Sequence, residues 1–285
     1  MMQRTAILLY ALALIVTNVA HSARVQDITI PSPSMDKQIP GIVILPESYF
    51  STGASYPAVY LLHGYSSSPR QTLDLLTNVF HTAADNQQMI IFLPDGGYNS
   101  WYFDSPAQPA RKYETFIARE FVHFSDKHYR TIPFPWARAI TGGSMGGHGG
   151  LFIGLRHKDV FGSVGSLSGG VDFRPFPENW DIKQALGPID QFPKRWDEHV
   201  VLNNLDGLKP GEVTIYVDVG TKDLFVDVNR ALHKKLLAMD IPHVYVERPG
   251  HHDDPYWKVA VSYQLSFFGE TFKDKQSASG KPSAK

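Results

Sequence analysis

The chain has 285 residues, of which 43% are hydrophobic and 19% are charged, and its formal net charge is −1. This length and apolar content suit one large α/β domain with a buried core. Because charges of both signs are dispersed along the chain, we expect neither a nucleic acid nor an anionic membrane surface as a partner.

The amino-terminal residues have the pattern of a secretory signal peptide. Arg4 precedes an apolar run at residues 6–16 that is too short to span a membrane, and small residues follow it. We therefore predict that residues 1–23 are removed, with cleavage between Ala20 and Ala23; an uncleaved anchor is the alternative. The chain contains no cysteine, which excludes a lipoprotein anchor and favours a bacterial periplasmic or secreted protein that folds without disulfides.

Predicted strands and helices alternate in the first half of the chain. Short apolar runs bounded by turn residues predict strands at residues 27–30, 40–45, 58–62 and 89–93. Helical periodicity predicts helices at residues 72–86 and 112–129. The first two strands are expected to form an edge hairpin, and the other two are continuous apolar runs, typical of strands buried on both faces.

The stretch from residue 138 to 150 carries the strongest functional signal in the chain. Ser144 lies there in a Gly-x-Ser-x-Gly frame, between a short apolar run and an apolar helical face. Strand, sharp turn and helix in this order predict the nucleophile elbow of an α/β-hydrolase fold. The serine of such a turn has a strained backbone, so side chains two residues either way would collide with the neighbouring strand and helix. Gly142 and Gly146 remove those side chains.

The second half of the chain continues the alternation around one irregular segment. Residues 168–200 hold several aromatic residues and prolines but little periodicity. Elsewhere the patterns predict strands at residues 161–167, 213–219 and 243–247, and helices at 226–239 and 255–269. This order implies a mostly parallel central sheet with helices on both faces, formed by one domain at residues 27–272. The polar residues 273–285 predict a flexible tail.

An elbow serine requires an acid and then a histidine, each on a loop after a later strand. Asp223 follows the predicted strand at 213–219, on a loop from which a carboxylate can reach a histidine. Asp227, one turn into the next helix, is the second candidate. A helix N-cap is the structural alternative for Asp223.

The loop after the last predicted strand carries two candidate bases, His251 and His252. Because adjacent residues point in different directions, only one of them can face Ser144. That histidine would take the serine proton as general base and return it to the leaving alcohol as general acid. The string His-His-Asp-Asp also suggests a metal site, but these residues are too close in sequence for one tetrahedral site. We expect no metal and no cofactor.

The oxyanion hole of this fold uses two backbone amides, one after the nucleophile and one after an early strand. The first is the N–H of Met145. The second is predicted at Tyr65, with Gly64 as the alternative, because both follow the strand at 58–62. His63 is expected to orient its neighbours rather than to act as a second base.

Four strings carry a family resemblance: Leu61-Leu62-His63-Gly64, Gly142-Gly143-Ser144-Met145-Gly146-Gly147, Gly220-Thr221-Lys222-Asp223 and Pro249-Gly250-His251-His252-Asp253. Together they resemble the esterase-D or putative-esterase family of α/β-hydrolases. That family includes feruloyl and acetyl-xylan esterases, S-formylglutathione hydrolases and mycolyltransferases. Its Pro-Gly-Gly-His-Asp-Trp-like string implies that His252 is the base, and its Gly-Thr-x-Asp string implies that Asp223 is the acid. The chain departs from the family at His251, where glycine is usual, and at Asp254, where an aromatic residue is usual.

The resemblance implies a secreted serine carboxylesterase that forms an acyl-enzyme. Its expected substrates are feruloyl or acetyl esters of plant polysaccharides, so the expected partner is a carbohydrate-linked ester. Trp101, in an aromatic loop, and Trp180, in the irregular segment, are predicted to wall the substrate cleft; simple packing is the alternative for both.

Four other functions stay open within the same fold. The chain could be a general short-chain acyl esterase. It could be an S-formylglutathione hydrolase-like enzyme, although export argues against an intracellular thioester. It could transfer the acyl group to a sugar rather than to water, or it could be a non-catalytic carbohydrate-binding homologue.

Overall fold

A computed structural model of the chain describes residues 22–278 and places eight strands in one sheet. The strands are β1 Arg24–Ser32, β2 Lys37–Leu45, β3 Ala58–Leu62, β4 Ile90–Pro94, β5 Arg138–Gly142, β6 Ser163–Leu167, β7 Thr214–Gly220 and β8 Val244–Arg248. Their order across the sheet is β1-β2-β4-β3-β5-β6-β7-β8. From β3 to β8 the strands run parallel, whereas β2 pairs antiparallel with β1 and β4. The predicted signal peptide, except for its last two residues, lies outside the described residues.

Helices within the described range connect these strands. They are α1 Pro69–Gln87, α2 Tyr113–Thr115, α3 Val122–His128, α4 Met145–Arg156, α5 Ile182–Leu186, α6 Pro193–His199, α7 Val226–Ala238 and α8 Asp254–Ala278. A π-helical stretch, Phe116–Phe121, joins α2 to α3, so the predicted helix at 112–129 has a π-helical interior. No helix within residues 22–278 is long and apolar enough to cross a membrane.

Helices cover both faces of the sheet because side chains along each buried strand alternate between the faces. In β3, Tyr60 and Leu62 belong to an apolar cluster that includes residues of α2, α3, α4 and α7. Val59 and Leu61 point the other way, into a second cluster with residues of α1 and α8. The mostly parallel sheet between two helical layers agrees with the sequence prediction.

The predicted start of the carboxyl-terminal tail is wrong. The sequence suggests a helix that ends at Gly269 and a tail from residue 273, whereas α8 continues to Ala278. Gly269 does not end the helix. A Cβ at this position would lie 2.4 Å from Gln87 Oε1, so the glycine lets α8 approach α1 closely. Phe272 is buried one turn later and holds the helix against the domain.

Candidate active site

Ser144 lies at the sharp turn between β5 and α4, at the carboxyl ends of the parallel strands. Its backbone has φ 57° and ψ −117°, a conformation that L-residues rarely adopt. Two hydrogen bonds tie the turn to neighbouring strands: the Gly143 amide donates to Leu62 O (3.3 Å), and the Ser144 amide donates to Leu167 O (2.9 Å). This is the geometry expected of a nucleophile elbow.

Gly142 and Gly146 have the steric role that the sequence predicts. A Cβ on Gly142 would lie 2.3 Å from Leu62 O, and one on Gly146 would lie 2.1 Å from the same atom. Both distances are far shorter than a van der Waals contact, so a larger residue would displace β3. Gly143 differs, because the nearest atom to a Cβ there would be Trp257 Nε1 at 4.0 Å.

Ser144, His252 and Asp223 form one chain of hydrogen bonds. Ser144 Oγ donates to His252 Nε2 (2.9 Å), and His252 Nδ1 donates to Asp223 Oδ2 (2.9 Å). The carboxylate can only accept, so the imidazole proton lies on Nδ1 and the lone pair of Nε2 faces the serine. The Asp223 side chain is fully shielded from solvent, whereas that of His252 is 19% exposed. A buried carboxylate, an oriented imidazole and a hydroxyl in this order are the groups that activate a serine nucleophile.

The structure distinguishes these residues from the alternatives that the sequence left open. The side chain of Asp227 is 89% exposed and pairs with Arg230 (3.3 Å). His251 is exposed to solvent. Asp223 is not the N-cap of α7, since that position is Phe225, whose amide donates to the second carboxylate oxygen, Asp223 Oδ1 (2.8 Å). Within residues 22–278, no group of three or more histidine or acidic side chains is placed to hold a metal ion.

The two amides predicted for an oxyanion hole have no acceptor in the described part of the chain. They are the N–H of Met145, the first residue of α4, and the N–H of Tyr65, in the loop after β3. The Gly64 amide also lacks an acceptor within residues 22–278, and a Cβ on Gly64 would lie 3.5 Å from Ser144 Cβ. The loop is therefore beside the nucleophile, with free donors available for negative charge. Which of Gly64 and Tyr65 supplies the second donor stays a prediction.

His63 holds the peptide unit between Gly64 and Tyr65. The histidine is buried, its Nε2 accepts the Gly96 amide (2.8 Å), and its Nδ1 lies 2.8 Å from Gly64 O. A nitrogen that accepts the Gly96 N–H carries no proton, so Nε2 cannot also donate to Asp95 Oδ1, which lies 3.3 Å from it. The imidazole proton therefore lies on Nδ1, which donates to the Gly64 carbonyl. Because the carbonyl of Gly64 and the amide of Tyr65 share one planar unit, fixing the first sets the direction of the second. This geometry suits the orienting role predicted for His63.

A cleft of about 450 Å³ opens beside Ser144 and His252. Its lining comes from the loop after β3, the start of α1, the start of α8, and Trp180 in the irregular segment. The volume lies within the usual range for small-molecule sites. The candidate nucleophile therefore faces a space large enough for an organic substrate.

The chain as a whole matches a known family. The family model described as Putative esterase matches residues 32–268, which include Ser144, Asp223 and His252. The chain belongs to this family.

Individual proteins that resemble the chain agree with this assignment. Esterase Rv1288 of Mycobacterium tuberculosis is 34% identical over 139 residues, which span 47% of this chain and 30% of that protein. Acetyl esterase of Caldicellulosiruptor saccharolyticus is 27% identical over 217 residues, which span 72% of this chain and 80% of that protein. The solved structure of a ferulic acid esterase is 27% identical, with a TM-score of 0.75, and the match covers 88% of this chain and 99% of that chain. Both the family resemblance and the α/β-hydrolase fold predicted from the sequence are confirmed.

Only one of the two predicted substrate-binding tryptophans lines the cleft of this Putative esterase domain. Trp180 does, whereas Trp101 is 1% exposed and lies outside the lining. The Trp101 ring packs edge-on against His148 and Phe173, with ring centroids 5.6 Å and 5.3 Å apart. Its Nε1 donates to the carbonyl of Trp180 (3.1 Å). The prediction that Trp101 contacts substrate is therefore wrong: this ring is part of the core and supports Trp180.

The sequence prediction missed two aromatic residues beside the candidate triad. The rings of Phe225 and Trp257 pack edge-on against the His252 imidazole, with centroids 5.4 Å and 5.1 Å away. Their positions in the sequence offer a signal, because each lies close to a predicted catalytic residue. Phe225 is two residues after Asp223, and Trp257, in the first turn of α8, is five residues after His252. Together they confine the plane of the imidazole.

Proposed function

We propose that this chain is a serine carboxylesterase that works through an acyl-enzyme. The hydrogen-bond chain from Ser144 through His252 to the buried Asp223 is the observation that carries the proposal. Ser144 Oγ attacks the ester carbonyl carbon while His252 Nε2 takes its proton, and the alcohol leaves with that proton. Water then attacks the acyl-enzyme by the same relay and releases the acid. One ester and one water give one carboxylic acid and one alcohol.

Charge in this reaction develops at two places, and the site has a group for each. The carbonyl oxygen becomes negative in the tetrahedral intermediate, where the amides of Met145 and Tyr65 would donate to it. Loss of one donor of this kind costs about 3 kcal/mol of transition-state stabilisation in other hydrolases. The imidazole of His252 becomes positive, and the carboxylate of Asp223 would stabilise that charge.

We further propose that the substrates are feruloyl or acetyl esters of plant polysaccharides and that the protein is exported. The ferulic acid esterase and the acetyl esterase described above support the first part. The aromatic side chain of Trp180 in the cleft also suits a ring, either of an acid or of a sugar. The signal-like segment at residues 1–23 supports export.

Hydrolysis assays of the purified protein with methyl ferulate, acetylated xylan and p-nitrophenyl acetate test this function. We expect hydrolysis by the wild type and none above background by Ser144→Ala, with an unchanged melting temperature. No hydrolysis by the wild type would favour the non-catalytic carbohydrate-binding alternative. Equal activity of the two proteins would refute the role of Ser144.

A matched pair of variants tests which histidine is the base. His252→Ala should lower kcat by at least about 10³-fold, because it removes the group that takes the serine proton. His251→Ala changes an exposed neighbour and should behave like the wild type. Comparable losses in both variants would leave the assignment of His252 unsupported.

A further inference from the structure

We propose that Asp218 is a positioning residue for the reaction, because it holds both ends of the loop that carries His252. That loop, residues 249–253, joins β8 to α8 and is called the base loop below. Through the base loop, Asp218 sets the distance and the angle between the His252 imidazole and Asp223. The inference rests on the proposed esterase function and adds to it a residue outside the lining of the cleft.

Asp218 is an acid in the interior of the sheet. It lies near the carboxyl end of β7, five residues before Asp223 in the sequence, and its side chain has no exposed surface. Its neighbours in the strand, Val217 and Val219, are also buried. Removing a carboxylate from water in this way is costly unless hydrogen-bond donors surround it. The donors therefore indicate which parts of the chain Asp218 holds.

Donors from both sides of the base loop reach the Asp218 carboxylate. Arg248, the last residue of β8, donates through Nε to Oδ1 (3.1 Å) and through Nη2 to Oδ2. Tyr256, in the first turn of α8, donates its hydroxyl to Oδ1. Arg248 is four residues before His252 and Tyr256 is four residues after it. One carboxylate thus fixes the chain on either side of the catalytic base.

The protonation of these groups suits a permanent attachment. Hydrogen bonding to the Asp218 carboxylate raises the pKa of Arg248 above its usual range. Burial, together with the same carboxylate, raises the pKa of Tyr256. Both groups therefore keep their protons at neutral and moderately alkaline pH and continue to donate while His252 gains and loses its own proton.

Backbone hydrogen bonds join the base loop to the loop after β7, which carries the catalytic acid. The Thr221 amide donates to Arg248 O and the Lys222 amide donates to Gly250 O, each over 2.9 Å. A Cβ on Gly220 would lie 2.6 Å from Gly250 O, so the two loops are in close contact. A shift at either end of the base loop would therefore change the 2.9 Å contact between the acid and the imidazole.

An amide at position 218 keeps the shape of the side chain and removes its charge. Asp218→Asn should lower kcat for p-nitrophenyl acetate about 10- to 100-fold with KM within about twofold of wild type, because a catalytic group displaced by about 1 Å loses this much rate. Asp126→Asn is the matched control, since it breaks another largely buried carboxylate–arginine pair, with Arg138. That pair lies at the amino end of β5, whereas Ser144 follows its carboxyl end. The control should lower the melting temperature and leave kcat unchanged.

Proton NMR reports the position of the imidazole without any substrate. The Nδ1 proton of His252, which is hydrogen-bonded to Asp223, should give a downfield signal in the wild type that is missing from His252→Ala. At a temperature at which all the variants are folded, Asp218→Asn should lose this signal through exchange with water. Asp126→Asn should keep it.

A second variant is available if Asp218→Asn does not fold. Tyr256→Phe removes one hydroxyl donor and keeps the ring, and its kcat should fall at least about fivefold with a weakened NMR signal. Wild-type kcat and an unchanged signal in whichever of these variants folds would overturn the proposal. An equal loss of kcat in Asp126→Asn would also overturn it, because the loss would then follow from lower stability alone. If the wild type hydrolyses no ester and a fluorophosphonate does not label Ser144, the proposed function fails, whereas the NMR signal still tests what Asp218 holds.

Discussion

Asp223 Oδ2 lies 2.9 Å from His252 Nδ1, while the other oxygen of the same carboxylate accepts the Phe225 amide at 2.8 Å. The two bonds fix the carboxylate from opposite sides, and its burial keeps water from competing for either oxygen. One tautomer of the imidazole follows from this arrangement, with the proton on the nitrogen that faces Asp223. The lone pair then faces Ser144 without any rearrangement.

Replacing the acid by its amide should disable the relay while keeping its shape. Asp223→Asn presents an NH₂ group to Nδ1 and favours the wrong tautomer, so kcat should fall by about 10⁴-fold with little change in KM. Asp227→Asn is the matched control, since that side chain is 89% exposed and should leave both constants unchanged. Steady-state kinetics of both variants with p-nitrophenyl acetate test this prediction. A similar kcat in the two variants would contradict the role of Asp223.

Local patterns in the sequence predict the parts of the site that depend on local sterics. The strand at 58–62 is correct to the residue, because a continuous apolar run between Pro57 and His63 has no competing interpretation. The elbow at Ser144 is predicted because the glycine requirement at its flanks comes from backbone atoms of an adjacent strand. The direction in which a side chain points is harder to predict from the sequence. His251 and His252 differ in which way they point, and the residues alone do not set that direction.

Packing between distant segments sets the features that the sequence did not predict. Trp101 and Trp180 both have positive φ, at 52° and 50°, yet one ring is enclosed by Phe173 and the other borders the cleft. The segment at 168–200 folds into short helices held by contacts such as Trp196 Nε1 to Gly187 O (2.9 Å), which leave no periodic pattern. No local signal reports such contacts.

Alanine substitutions at two glycines of the elbow should show which of them is required because there is no room for a side chain. Gly146→Ala forces a methyl group against Leu62 O and should lower the free energy of unfolding by about 1–3 kcal/mol or more. Within residues 22–278, and apart from its neighbours in the chain, a Cβ at Gly143 would meet no atom closer than 4.0 Å, so Gly143→Ala should fold with nearly wild-type stability. Urea denaturation measures both. Equal stability of the two proteins would show that the elbow is not as tight as described.

Removing the two hydrogen bonds of His63 should impair catalysis more than ground-state binding. His63→Phe frees the Gly64 carbonyl, so the neighbouring Tyr65 amide loses its fixed direction, and kcat should fall at least about tenfold at similar KM. Affinity for a boronic acid that mimics the tetrahedral intermediate should fall in parallel. A drop in melting temperature with unchanged kcat would assign His63 a purely structural role.

Acid should destabilise the fold through His148. Burial lowers the pKa of this histidine from 6.5 to about 3, while its Nε2 donates to His199 O (2.8 Å). Between these two values the unfolded chain binds the proton and the folded chain does not, so stability falls as pH falls. From pH 7 to pH 5 the loss should be about 2 kcal/mol. His148→Gln keeps a donor but does not titrate, so the pH dependence of its unfolding free energy should be weaker by this amount; an identical dependence would contradict the prediction.

The reactivity of Ser144 is the central claim, and covalent labelling tests it most directly. The folded wild-type protein would be treated with a fluorophosphonate, digested, and its peptides analysed by mass spectrometry. The hydrogen-bond chain described here predicts one adduct per chain, on Ser144 Oγ, and little or none in His252→Ala. A folded wild-type protein that stays unlabelled at Ser144, or that carries the adduct on another residue, would contradict the account.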